Sequence, residues 1–236
     1  MRRFHGFLLA TLLAAGTAVA QTTPAKPATV ANTLEQRLVA CAICHGKQGE
    51  GVRKNEYYPR LAGKPSEYLY NQLLGFREKR RASPVMTYMV GGLSDSYLGE
   101  IADYYAALRP PFPPPAQRAD PAKLARGEAL ALKGDPVLEI PACAACHGAK
   151  LSGMLPGIPG LIGLYPDYIA AQMGAWKSGV RNAAAPDCMA RIASRLSGDD
   201  IAAVAAWLAS LPASPDTPPA PARSLKLPMS CGSAPQ

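Results

Sequence analysis

Two pentads in this chain carry the residue types that do chemistry: Cys41-Ala42-Ile43-Cys44-His45 and Cys143-Ala144-Ala145-Cys146-His147. Thiols three positions apart lie on one turn of a helix, where both reach the edge of one flat group. The imidazole that follows lies under its centre. Cys-x-x-Cys-His in this form is the attachment signature of c-type haem, with Cys41 and Cys44, then Cys143 and Cys146, forming thioethers and His45 and His147 serving as proximal iron ligands. The reading is two covalently attached haem c groups. A zinc site would need four ligands built from paired half-motifs, and the chain has three histidines, His5, His45 and His147. A thiol redox centre would bring a thioredoxin-like strand and helix pattern, and no strand alternation flanks either pentad.

An electron-transfer haem of this kind needs a sixth ligand, and with no spare imidazole a thioether sulfur is the available donor. The repeat within the chain selects it. Cys41 maps to Cys143; Pro59, Leu61, Gly63, Tyr68, Gln72 and Phe76 map to Pro159, Leu161, Gly163, Tyr168, Gln172 and Trp176; Met86, Leu93 and Ser94 map to Met189, Leu196 and Ser197. Met86 and Met189 both stand seven residues before the leucine, so they are expected as the axial ligands. Met89, Met154, Met173 and Met229 are read as core filler.

The elements that must position these groups are helical. A short helix over Thr33 to Ala40 delivers the chain to Cys41, and Gly46, Gly49 and Gly51 make the loop after it. Apolar spacing predicts a helix from Glu67 to Lys79, ended by the basic run Arg77 to Arg81, which is read as ordinary cations at a helix C-terminus. Ser94 caps a helix to Leu108. Arg109-Pro110-Pro111-Phe112-Pro113-Pro114-Pro115 cannot continue a helix and is expected as an extended linker. Leu196-Ser197 opens a last helix running to about Leu211, and a Pro- and Ser-rich tail follows.

The fold class expected is all-α, two tandem cytochrome c domains joined by a proline-rich linker. The boundaries read are 1–20 signal peptide, 21–32 leader, 33–108 first domain, 109–117 linker, 118–211 second domain and 212–236 tail. Met1-Arg2-Arg3, an apolar run from Phe7 to Val19 and Ala18-Val19-Ala20 form a cleavable secretory signal, too short to span a bilayer. A periplasmic location is therefore expected, with no transmembrane segment in the mature chain. Loss of Arg2 and Arg3 lowers the formal charge from +8 to +6, and propionates offset most of the remainder. The basic balance is no sign of nucleic acid binding, since no basic run interleaved with aromatics accompanies it.

The chain resembles the periplasmic di-haem cytochromes c called cytochrome c4, over roughly residues 33 to 211. The resemblance rests on both pentads, Pro59-Arg60-Leu61-Ala62-Gly63, Met86-Thr87-Tyr88-Met89 ahead of Leu93-Ser94-Asp95, and Asp120-Pro121 through Gly127-Glu128. It implies two cytochrome c folds with facing haems and electron delivery from respiratory donors toward a terminal oxidase. It also implies that the Pro59 and Pro159 carbonyls accept a hydrogen bond from each ligating imidazole. Gly160 stands where the first half has Arg60, so any propionate contact from that side chain would be absent from the second.

Cys188 and Cys231 remain after haem attachment; a disulfide between them is the hypothesis, with two free thiols as the alternative. The function expected is a one-electron carrier, not an enzyme. Its rivals are a haem subunit docked to a dehydrogenase or oxidase, and a di-haem peroxidase, which would need an open iron site and an acid/base group that the sequence does not offer.

Overall fold

The computed structural model describes residues 32–52, 55–115 and 119–234; the expected signal peptide and all of the leader but residue 32 lie outside them. Among the described residues the first half carries four helices: α1 (Leu34–His45), α2 (Ser66–Arg77), α3 (Pro84–Val90) and α4 (Asp95–Ala107). Local chemistry sets their starts. The Thr33 hydroxyl accepts from Gln36 N–H, Ser83 from Met86 N–H and Ser94 from Tyr97 N–H, each satisfying one of the amides a helix leaves free at its first turn. Helices α1 and α2 pack on α4, burying Leu38, Leu69, Ile101, Ala102 and Tyr105.

The second half has α5 (Pro121–Leu132), α6 (Ala144–His147), α7 (Pro166–Lys177), α8 (Cys188–Arg195) and α9 (Gly198–Ser210), with a two-stranded hairpin of β1 (Gly153–Met154) and β2 (Ile158–Pro159). Asp120 caps α5, and Ser197 with Asp200 forms a reciprocal capping box on α9. Helices α5 and α9 cross closely at Gly127, where a Cβ would lie 2.2 Å from the Ala203 carbonyl oxygen. Their core includes Leu130, Ile201, Val204 and Leu208.

The halves differ in how they reach the pentad. In the first, the pentad is the last turn of α1. In the second, α5 stops at Leu132 and the chain turns through Asp135–Ile140 before reaching α6. Gly134, at φ 74°, supplies the left-handed residue that ends α5. Among the described residues no helix is long and apolar enough to cross a membrane.

The C-terminal segment folds back onto the second half. Ala220 exchanges backbone hydrogen bonds with Gly153 and Leu155, Leu227 is buried with Met154 and Ile158, and Gly232 N–H donates to the Pro186 carbonyl at 3.0 Å. Cys231 is joined to Cys188 by a disulfide, the Cα atoms 5.3 Å apart.

Candidate functional site

Each pentad places its imidazole against a proline carbonyl. His45 Nδ1 lies 2.9 Å from the Pro59 oxygen and His147 Nδ1 lies 2.8 Å from the Pro159 oxygen. A carbonyl can only accept, so each Nδ1 carries the proton and each Nε2 keeps its lone pair, the form that binds a metal. Both rings are buried, 6% and 8% exposed. Burial is the main cause that lowers the pKa of each, opposed by the bond to proline; Arg81 adds to the lowering at His45 and Lys64 at His147.

Two glycines make these contacts possible. A Cβ on Gly51 (φ 81°) would sit 2.9 Å from the Pro59 carbonyl carbon, and one on Gly153 (φ 95°) 2.8 Å from that of Pro159. Only a residue without a side chain lets the backbone approach so closely. Leu61 N–H on Gly49 O, and Leu161 N–H on Leu151 O, both at 2.8 Å, fix the same segments.

The four pentad cysteines are unpaired thiols, all partly buried. Burial raises the pKa of Cys41 and Cys146, and pushes that of Cys143 up to about 11. Met189, Cys146 and His147 line one largely apolar cavity together with Met173, Ile158, Leu161 and Met229. Met86, the third residue of α3, packs with Met89 against Phe76, Val90 and Leu98. The Met89, Met154 and Met173 reading as core filler agrees with their packing, and Met173 also lines the cavity, as Met229 does.

At the junction of the halves lies a polar cluster. Arg81 donates to Gln172 Oε1 at 2.7 Å and Gln72 Oε1 at 3.2 Å; Arg181 donates to the same two amide oxygens at 2.6 and 2.8 Å and to the Tyr68 hydroxyl at 3.3 Å. Arg181 stacks on the Trp176 ring, 3.7 Å away, and Arg81 on Phe76 at 4.5 Å. Two backbone bonds, Ala82 N–H to Val180 O and Asn182 N–H to Arg80 O, hold the segments together. Burial opposes ionisation of the Tyr68 hydroxyl, but the two guanidinium groups outweigh it and lower its pKa. Burial, then the facing Arg181 charge, lowers that of Arg81. The reading of Arg81 as a helix-end cation misses this role; its signal was the offset of 100 to Arg181, shared with Tyr68/Tyr168 and Gln72/Gln172.

These residues fit a haem. The cavity wall is apolar, as a porphyrin face requires. At its junction end stand Arg81 and Arg181, hydrogen-bonded to amide and hydroxyl oxygens, and the Trp176 indole N–H is buried without an acceptor among the described residues. A buried donor without a partner costs free energy unless an anion or oxygen meets it, and propionates carry both.

Arg60 does something other than expected. Its guanidinium donates to the Pro111 and Pro110 carbonyls at 2.9 and 2.6 Å and to Ala62 O at 3.2 Å, with the Phe112 ring 3.9 Å away. Burial lowers its pKa to about 10. It therefore clasps the proline-rich segment, and Gly160 has no such segment to hold.

The cytochrome c family matches twice, over residues 30–105 and 124–212. Cytochrome c4 of Pseudomonas aeruginosa (strain PAO1) is 33% identical over 179 residues, covering 75% of this chain and 86% of that protein. The chain belongs to the di-haem cytochrome c4 family. The reduced recombinant cytochrome c4 structure from Pseudomonas stutzeri superposes with a TM-score of 0.65 at 29% identity, over 75% of this chain and 96% of that one. A protein of Thiomonas intermedia (strain K12) described as a thiosulfate dehydrogenase electron acceptor is 41% identical over 176 residues, 75% of this chain and 80% of its own length. This cytochrome c4 relative is thus an all-α electron-transfer protein of two cytochrome c domains carrying covalently attached haem c.

Proposed function

We propose that this chain is a periplasmic one-electron carrier that takes electrons from a dehydrogenase, with an enzyme oxidising a small sulfur oxyanion as the leading donor, and delivers them toward a terminal oxidase. The observation that carries the carrier role is the matched pair of buried imidazoles, each with Nδ1–H fixed on a proline carbonyl beside two unpaired thiols. The donor rests on the likeness to the thiosulfate dehydrogenase electron acceptor. The location rests on the Met1–Ala20 pattern and on the Cys188–Cys231 disulfide, a bond that persists in oxidising compartments.

In this reading Cys41, Cys44, Cys143 and Cys146 would hold the porphyrins, and His45, His147, Met86 and Met189 would ligate the irons. A haem c so held supplies a one-electron couple whose potential methionine ligation raises. The protein residues keep the chemistry to that. The proline carbonyls hold the Nδ1 protons, so the rings neither rotate nor leave. The apolar walls exclude water, and Arg81 and Arg181 set counter-charge at the junction. Pro110 and Pro111, gripped by Arg60, belong to the stretch 109–117 proposed as the linker between the domains.

A redox titration of purified holoprotein, followed optically, with reduced dehydrogenase then mixed in, tests this. Two reversible one-electron waves and rapid reduction by the thiosulfate-oxidising enzyme are expected. A high-spin spectrum with peroxide turnover, or no reduction by that enzyme, would overturn the carrier role or the donor respectively.

A further inference from the structure

Lys64 sits in the first half, and its side chain lines the junction cavity with Tyr68, Gln72 and Arg81 of that half and Cys146, His147 and Met189 of the second. The turn from Leu61 to Lys64 fixes it: Lys64 N–H donates to Leu61 O at 3.4 Å, and Gly63 N–H to Tyr105 O at 3.0 Å. The residue is 8% exposed. Among the described residues no carboxylate pairs with its ammonium and no group accepts a hydrogen bond from it; the face of Tyr68 is 6.0 Å away. Glu67, one turn on, packs at Gly157 instead. A charged group this buried and unpartnered is costly unless the cavity supplies an anion or a charge to oppose.

The other charges nearby explain its state. Burial, aided by the like charges of Arg60, Arg181 and Arg81 and opposed by Tyr168, lowers its pKa to about 8. A propionate beside it would raise that value and hold the charged form. The effect of that charge reaches His147, whereas the cation felt at His45 is Arg81. Arg81 has a repeat partner in Arg181. Lys64 has none: Leu164 occupies the position one hundred residues on.

We propose that Lys64 is a tuning cation which the first domain inserts at the haem site of the second, raising the reduction potential of that haem alone. A fixed positive charge disfavours the ferric state, which carries one more unit of charge than the ferrous. Electrons entering the molecule are thereby biased toward the second haem. The proposal rests on the two-haem reading above.

The test is a redox titration of holoprotein and of Lys64→Gln and Lys64→Arg, with haem-methyl NMR resonances following each haem separately. At fixed potential, K64Q should raise the ferric-to-ferrous ratio of the second haem by about tenfold, equivalent to about 59 mV for one electron, and leave the first in place. K64R should restore it. Equal movement of both haems, movement of the first alone, or no movement with both haems bound would overturn the proposal. Absence of two haems in the wild-type protein would instead overturn the reading beneath it. A thermal melt separates folding: a merely structural role lowers stability without a selective change in potential.

Discussion

The Cys188–Cys231 disulfide ties the end of the chain to the residue before Met189, and removing it should have two consequences, one on stability and one on Met189. The bond spans 43 residues. Chain-entropy loss in the unfolded state for a loop of that length corresponds to about 4 kcal/mol at 25 °C. For a chain of this size that is a fall of roughly 10 °C in melting temperature. The tail would also release Leu227 from Met154 and Ile158 and free the segment preceding α8. Replacing both cysteines by serine keeps α8 capped, because Asp187 still accepts from Ala190 N–H at 3.0 Å. Denaturant unfolding of the oxidised holoprotein, with wild type alongside, measures the first effect. The sulfur-to-iron absorption band of the oxidised protein reports the second, since a loosened Met189 weakens it in one haem of two. A double variant within about 1 kcal/mol of wild type, or labelling of both thiols in unreduced wild-type protein, would refute the reasoning.

Gly127→Ala should destabilise by about 1–3 kcal/mol in the same unfolding assay, because its Cβ would meet the Ala203 carbonyl at 2.2 Å. Gly174→Ala, in α7 with nothing within 4 Å, should be neutral or stabilising by up to about 1 kcal/mol. Arg60→Met should cost about 2–3 kcal/mol by leaving the Pro110 and Pro111 carbonyls without their donor, with both haems still attached by mass. Burial opposes ionisation of Asp200, but bonds from Ser197 and Arg126 outweigh it and lower its pKa. Its folded value is below the unfolded one, so its stabilisation is complete above about pH 4 and disappears as pH falls through the folded value. Acid unfolding of Asp200→Asn should lack that part of the pH dependence.

The parts of this molecule legible in its sequence are those with local causes. Thr33, Ser94 and Ser197 mark helix starts because a capping oxygen acts within three residues. The pentads announce themselves for the same reason, and the proline carbonyls followed from the family resemblance. Helix α3 escaped because seven residues carry too little periodicity, although Ser83-Pro84 is a cap followed by proline at the first turn. The excursion through Asp135–Ile140 was hidden by the repeat itself, which aligns the pentads and not the helices before them. The anchor of the tail was legible as the leftover thiol Cys231 paired with Cys188, but its backbone contacts were not, because their partners, Gly153 and Leu155, lie more than sixty residues away. Arg60 was read for a propionate contact, and its guanidinium turned to a segment fifty residues on. Lys64 left no trace, since its meaning lies in a cavity that both halves line.

The most direct test is the intact mass of the purified mature holoprotein under denaturing conditions. Two haem masses retained on the polypeptide, with Cys41, Cys44, Cys143 and Cys146 closed to alkylation, is the result expected. A mass of bare polypeptide, or of polypeptide with a single haem, would contradict the assignment of both pentads.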